Sequence, residues 1–478
     1  MLGCLIRKEI LDHILSLRFL ILSVIAALVV LLSLYSGYTY YQSSLENYRL
    51  AETATENRIR QLLDCDDWLE LDAMGFKIHK PPTPMSIFVR GLEPALGRTV
   101  LISGGGKQLP ARSPESVEPS LGVFPLLDLG LIVQIVVSLF ILLLTFDVVC
   151  GEKENGTLRL IAALPISKAK LLLGKFLGVL IPTLASIFLP LLLGLAAVLM
   201  SPHAKFTELE LIHLVLILLT IGTYLCVFTS AGIFASCLAG RSATAFVVLL
   251  SFWVATVIVL PRLSLIVADS VSPAPSFYNL ITEKAVVAMA DLEARYERHR
   301  NWQQDYQRVN GIEWHQTPEG REAYQLFFAQ TRREARTHTF RQWERLDEAF
   351  QNRYNVRLDL AMYLARLSPT FAFNNAVVRL AGVGWEPQHR FKVAGERFWK
   401  KYRAWFARTK TRDRLRLAHP AKYGEYVWDV SDMPRFIFHE RSHSEDLRFA
   451  LVDVGILALW GIMFFAGAFF TIQGYDVR

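Results

Sequence analysis

His439-Glu440-Arg441-Ser442-His443 fits the pattern H-E-x-x-H, in which two histidines one helical turn apart hold zinc and the glutamate acts as a base. A catalytic zinc also needs a third protein ligand and an open coordination position. No such ligand stands out, the longer form of the motif does not follow, and charged Arg441 separates the histidines. His439, Glu440 and His443 are metal candidates on this ground alone, and the segment reads as a polar helix entering a membrane surface. The run Ser103-Gly104-Gly105-Gly106-Lys107-Gln108 comes nearest to a phosphate-binding loop. Leu101 replaces its first glycine, and Gln108 replaces the hydroxyl that would hold magnesium, so it reads as a surface loop. Asp128 and Asp147 lie near the ends of an apolar run that contains Gln134. Charge inside a bilayer is costly and often functional, but both carboxylates can reach the boundaries, and they read as boundary residues.

The elements that must position these groups are membrane helices. The 478 residues are 52% hydrophobic and 20% charged, with a mean hydropathy of +0.30, too apolar for a disordered or ordinary soluble chain. Windows of about 19 residues pick out spans at 19–38, 124–147, 171–200, 209–238, 243–267 and 449–470. Pro182 and Pro190 sit inside the third and predict an irregular helix there. Five cysteines are too few and scattered for a disulfide framework, since Cys65 alone lies in an outer segment.

Arg7, Lys8, Lys153, Arg159, Lys168, Lys170, Lys175 and Arg241 fall on one side if the spans alternate, which places that side in the cytoplasm. Both termini are then cytoplasmic. Tyr35, Tyr38, Tyr40 and Tyr41 make an aromatic collar where the first span leaves the membrane outward. No small-residue cleavage site follows that span, so it reads as a retained signal anchor. Residues 1–18 alternate apolar and charged positions, as an interfacial amphipathic helix does.

The fold class is therefore an all-α polytopic membrane protein of six spans with two extracytoplasmic insertions, at 39–123 and 268–448. The first insertion opens helically through Leu63 and turns to loop chemistry at Pro81, Pro82 and Pro84. The second is larger and mainly helical, with a long helix starting at Thr317-Pro318. Its charges alternate in sign, as at Arg332, Arg333, Glu334, Arg336, Arg341, Glu344 and Arg345, which marks a solvated surface rather than a nucleic-acid site.

The cytoplasmic segment 148–170, between the second and third spans, is the most informative. It contains Glu152-Lys153-Glu154-Asn155-Gly156-Thr157-Leu158-Arg159 and continues to Leu164-Pro165-Ile166-Ser167-Lys168. Its carboxylates can meet cations on a partner, and Leu158, Leu160 and Ile161 offer an apolar docking face. This segment resembles the E-K-E-x-G-T-L…P-[IV]-S-[RK] signature of ABC-2 type transporter permeases, the membrane subunits of type V ABC exporters. Pro82-Thr-Pro-Met-Ser-Ile-Phe-Val-Arg-Gly91, and Leu367-Ser-Pro with Ala381-Gly382, resemble a subgroup with large outer domains. That subgroup is typically encoded in bacteria beside an ATPase and often a second permease.

The resemblance implies a coupling segment formed by Glu152, Lys153, Glu154, Gly156, Thr157, Leu158 and Pro165. It implies an ABC ATPase subunit that holds ATP and Mg, with no cofactor, metal or catalytic residue on this chain. It further implies a membrane dimer with the same chain or a paralogue, in the bacterial inner membrane, and an outer domain that gates or binds a periplasmic partner. The rival readings are a mechanotransmission subunit that moves no substrate, and a zinc protease built on His439, Glu440 and His443. Metal analysis of the purified chain should find no stoichiometric zinc, with His443→Ala leaving the content unchanged. Stoichiometric zinc that disappears in this variant would contradict the permease reading.

Overall fold

A computed structural model describes residues 2–64, 75–94, 97–103, 106–111, 128–162, 167–273, 276–418, 433–438 and 444–474. Pro165, His439, Glu440 and His443 lie outside the described residues, as do Cys65, Gly104 and Gly105. The chain divides into two compact units, Met1–Ile258 with Ser368–Arg478, and Val259–Leu367.

Among the described residues, six helices are long and apolar enough to cross a membrane: Leu17–Gln61, Leu129–Glu154, Lys168–Leu199, Glu208–Leu238, Ser242–Val271 and Asp446–Gln473. They are spans one to six, and they make this an all-α polytopic membrane protein. Apolar side chains point outward along much of spans one, five and six, as a lipid solvent permits. Span one belongs to a helix of 48 residues, Leu17–Asp64. At 1.5 Å per residue it extends on the order of 70 Å, well past a hydrocarbon core of about 30 Å. Span three is a continuous helix despite Pro182 and Pro190, which corrects the irregular helix predicted there. The residues four positions back, whose carbonyls the proline rings crowd, are Gly178 and Ser186. Both are small, and Ser186 Oγ donates to the Pro182 carbonyl at 2.9 Å.

At the end of the bundle away from the Glu152–Leu158 turn, the residues around Pro84–Ile87 fold into a 3₁₀ turn against span one. Met85, Ser86, Ile87, Phe88 and Val89 are all buried. A Cβ at Gly37 would overlap the Ile87 carbonyl, so glycine lets the two backbones touch. The Arg90 guanidinium donates to Ser36 Oγ at 2.7 Å and lies 4.9 Å from the Tyr40 ring centre. Asp128 caps span two, accepting from the Leu131 N–H at 2.8 Å and, through its other oxygen, from the Arg90 N–H at 3.0 Å. Gly91, at φ +51°, turns the chain so that the Leu92 N–H reaches the Val383 carbonyl at 3.1 Å. The two segments that carry the subgroup resemblance thus meet.

The helix Pro369–Leu380 follows Ser368, and its Ala372, Phe373, Ala376, Val377 and Leu380 are buried against spans four and six. It is embedded in the bundle although its sequence falls inside the second polar insertion. A three-stranded antiparallel sheet also escaped the sequence reading: β1 Phe76–His79, β2 Thr99–Ser103 and β3 Gly106–Ala111, in the order β1-β2-β3. Phe76, Ile78, Val100 and Ile102 pack on Phe391, Phe398, Tyr402 and Trp405 of the helix Trp385–Ala418. Lys107 pairs with Ile102 across the β2–β3 ladder, a hairpin position rather than a phosphate cradle.

The second unit contains an antiparallel hairpin of Phe277–Asn310 and Pro318–Ala365. Gly311, at φ +70°, ends the first helix and Thr317-Pro318 starts the second. Trp314 stacks on Tyr324 at 4.1 Å and Trp302 on Phe327 at 5.3 Å, so these aromatics pack on one another while remaining half-buried. The packing at Gly37 makes a direct prediction. Gly37→Ala should cost about 1–3 kcal/mol through overpacking, seen as a lower midpoint in detergent melts of the full chain. Gly222→Ala, where no atom lies within 4 Å of the added carbon, should leave the midpoint unchanged.

Candidate functional site: the charged turn after span two

Span two ends in a short helix, Cys150–Glu154, and the helix Thr157–Ala162 follows. Asn155 closes the first helix, and Gly156 takes the left-handed conformation at φ +72°. No atom lies within 4 Å of a Cβ at Gly156, so glycine is required there by its backbone and not by space. The Asn155 N–H donates to the Gly151 carbonyl at 3.0 Å and the Gly156 N–H to Lys153 at 3.2 Å, completing the helix end. Leu158 is only 3% exposed and joins Phe19, Phe140, Val149 and Leu172 in a buried cluster. Leu160 is 73% exposed. Asn155, Gly156, Thr157 and Arg159 are exposed as well.

Each charge of the Glu152-Lys153-Glu154 triplet reaches a different helix. Glu152 accepts from Lys175 Nζ of span three at 2.7 Å. Lys175 is 1% exposed and also pairs with Glu9 of the N-terminal helix, Leu2–Ile14, at 3.4 Å. Lys153 Nζ donates to the Cys237 carbonyl and, at 3.2 Å, to the Ala239 carbonyl. A cation thus meets the orphan carbonyls at the C-terminus of span four. Glu154 accepts from the Ser242 N–H at 3.1 Å and from the Ser242 hydroxyl at 2.6 Å. The first residue of span five thereby receives an anionic cap that its own N-cap, Arg241, does not supply.

Other contacts complete the ring of helix ends. Ser236 Oγ of span four accepts from the Val149 and Cys150 N–H groups, each at 3.0 Å. Arg18, at the start of span one, pairs with Asp147 at 2.9 Å. Lys168, at the start of span three, donates to the Gln473 carbonyl at the end of span six at 3.1 Å. Gly174 and Gly178, four residues apart on span three, face the N-terminal helix, where a Cβ would overlap Leu5 or Glu9. The turn therefore joins the ends of spans three, four and five to span two, and the contacts beside it bring in the ends of spans one and six.

Sequence reasoning singled out Glu152, Lys153 and Glu154 and assigned the two carboxylates to cations of a partner. It missed Glu9, Ser236 and Ser242 and treated Lys175 as a topology marker only. The position of Lys175 inside Leu171-Leu172-Leu173-Gly174-Lys175-Phe176 was the available signal, because a lysine in such a run needs a partner. Among the described residues, no group of three or more His, Cys, Asp or Glu side chains could hold a metal.

Six apolar spans whose ends are tied together at a charged turn define a polytopic membrane protein. The chain belongs to the ABC-2 family of transporter proteins, whose family model matches residues 4–317, more than half of its length. It is also 52% identical over 40 residues to a Pseudomonas aeruginosa protein described as "Probable ABC transporter permease protein NosY". That match covers 8% of this chain and 14% of the relative. Membership places this chain among ABC transporter membrane subunits.

The trans cap on span five is testable. Glu154→Ala and Ser242→Ala should each speed amide exchange over residues 242–245, and the double variant should exchange no faster than Glu154→Ala, which already removes both contacts. Additive effects would mean that the two side chains act separately.

Proposed function

We propose that this chain is the permease subunit of an ATP-driven exporter in a bacterial inner membrane, working as half of a membrane dimer with a second copy or a paralogue. ATP and Mg belong to the ATPase subunit, and this chain carries no catalytic residue. The observation that carries the reading is the division of labour in the 150–162 turn. Its charges bind the ends of spans three, four and five. Thr157, Arg159 and Leu160 are left for a partner. A load applied to that exposed face would reach several spans together, because the helix ends are already joined. Glu152, Lys153, Glu154, Gly156, Thr157, Leu158 and Pro165 form the coupling segment, the charged members from inside and Thr157 at the contact.

The basic residues at this end, among them Arg7, Lys8, Arg159 and Arg241, support a cytoplasmic location for the turn and for both termini. The sheet and the helical hairpin would then be extracytoplasmic, where the hairpin meets a periplasmic partner. The separate compactness of Val259–Leu367 favours the mechanotransmission subunit as the second reading, in which that unit is what the ATPase ultimately moves.

The test is purification of the full chain from native membranes in a gentle detergent, with ATPase turnover measured on what comes with it. A co-purifying ATPase is expected. Leu160→Asp should weaken its retention at least tenfold at equal permease yield, since about 1.4 kcal/mol per decade is within reach of one apolar anchor. Unchanged retention and turnover in Leu160→Asp would remove the turn from the coupling interface.

A further inference from the structure

Spans two and five each contain one π-turn, at Val133–Val137 and Ala255–Val259. A π-turn adds a residue to a helix, breaks the regular ladder and often marks a functional site. Here carbonyls within the bulges accept from buried hydroxyls, two of them on other elements. The Gln134 carbonyl accepts from Ser138 Oγ at 2.5 Å and from the Tyr224 hydroxyl of span four at 3.1 Å. Ser138 Oγ in turn accepts from the Trp253 indole N–H of span five at 2.8 Å. The Thr256 carbonyl accepts from Ser368 Oγ at 2.6 Å. Ser138, Tyr224, Ser368 and Thr370 are each 0% exposed.

The helix Pro369–Leu380 joins the two bulges. Ser368 is its N-cap and accepts from the Phe371 N–H at 3.3 Å while donating to Thr256. One hydroxyl therefore starts one helix and closes the bulge of another. Thr370 Oγ1 lies 3.4 Å from the Tyr224 hydroxyl, which itself holds the bulge of span two. Phe373 stacks on Tyr224 at 4.3 Å. Asn375 Nδ2 donates to Asp453 Oδ2 of span six at 2.6 Å, fixing the helix from its other side.

The chain positions of these contacts matter. The chain leaves the first unit after Ile258, inside the bulge of span five, and returns to it at Ser368. The hydrogen bond from Ser368 to Thr256 thus ties the point of departure to the point of return. Spans two and five are also among the helices joined at the charged turn, one ending in Glu154 and the other capped by it.

We propose that the two π-turns and the helix Pro369–Leu380 form one two-position joint, in which the Ser368 and Tyr224 hydroxyls lock both bulges in register together. Shifting a bulge by one residue turns the helix segment it crosses by about 100° and slides it about 1.5 Å. Release of the two hydroxyls lets both spans make that change at once, and the same release frees the segment that starts at Ser368. This deepens the permease reading and rests on it, naming the joint through which a load on the turn changes the two spans.

The experiment is amide exchange of the full chain in lipid nanodiscs, with no ATPase added. Ser368→Ala should speed exchange roughly fivefold, as expected for loss of one buried hydrogen bond, over 255–259 and also over 133–137. Ser368→Thr, which keeps the hydroxyl, should exchange as the parent does. Tyr224→Phe keeps the ring packing and should also loosen both bulges. Acceleration confined to 255–259 in Ser368→Ala, or no acceleration in either variant, would overturn the joint. Because the readout needs no ATPase, its failure is separate from failure of the permease reading, which would appear as loss of the co-purifying ATPase alone.

Discussion

A lysine ammonium withdrawn from water must be neutralised by its surroundings, and at Lys175 the surroundings are two carboxylates. Glu152 lies 2.7 Å away and Glu9 3.4 Å away, one from the turn after span two and one from the N-terminal helix. Removing one partner from a buried ion cluster typically costs about 3–5 kcal/mol. Moving any one of the three helices therefore strands a buried charge, which holds the three in one register. Gly174 and Gly178 make this approach possible by letting Leu5 and Glu9 reach the span three backbone. With the N-terminal helix and the turn fixed to span three, Lys153 and Glu154 fall against the facing ends of spans four and five.

The opposite end of the first unit obeys the same constraint with other groups. Asp128 caps span two and holds the Arg90 backbone, while the Arg90 guanidinium reaches Ser36 on span one. Both ends of span two are thus anchored by carboxylates, Asp128 at its start and Glu152 and Glu154 at its finish. Between these anchors the span contains its π-turn, which leaves its interior the natural place for change. The long helix of span one continues past the membrane region toward β1, where Thr55 Oγ1 lies 3.1 Å from His79 Nε2.

The spans were legible because a run of about 20 apolar residues has few other uses. The partners of the charges were not, because Ser242 and Lys175 are distant in sequence from the turn, and the apolar run around Lys175 signals that it needs a partner without saying which. The sheet escaped because β1 is four residues long, and its apolar face is completed by Phe391 and Tyr402 from a distant helix. The helix Pro369–Leu380 read as part of a polar insertion because its neighbours in sequence are charged, whereas Tyr224 and Asp453 determine its burial. The identity of the signature came from resemblance. What each of its residues touches came only from the fold.

The most direct measurement on the central claim is a thermal unfolding series of the full chain in detergent, comparing Lys175→Met with the triple change Glu9→Gln, Glu152→Gln, Lys175→Met. The account predicts a large loss for the single variant, on the order of 3–5 kcal/mol, and recovery of most of it in the triple variant, where no carboxylate is left without its cation. Equal midpoints for the parent and Lys175→Met would contradict it, because the charged turn would then be held by something other than the buried lysine.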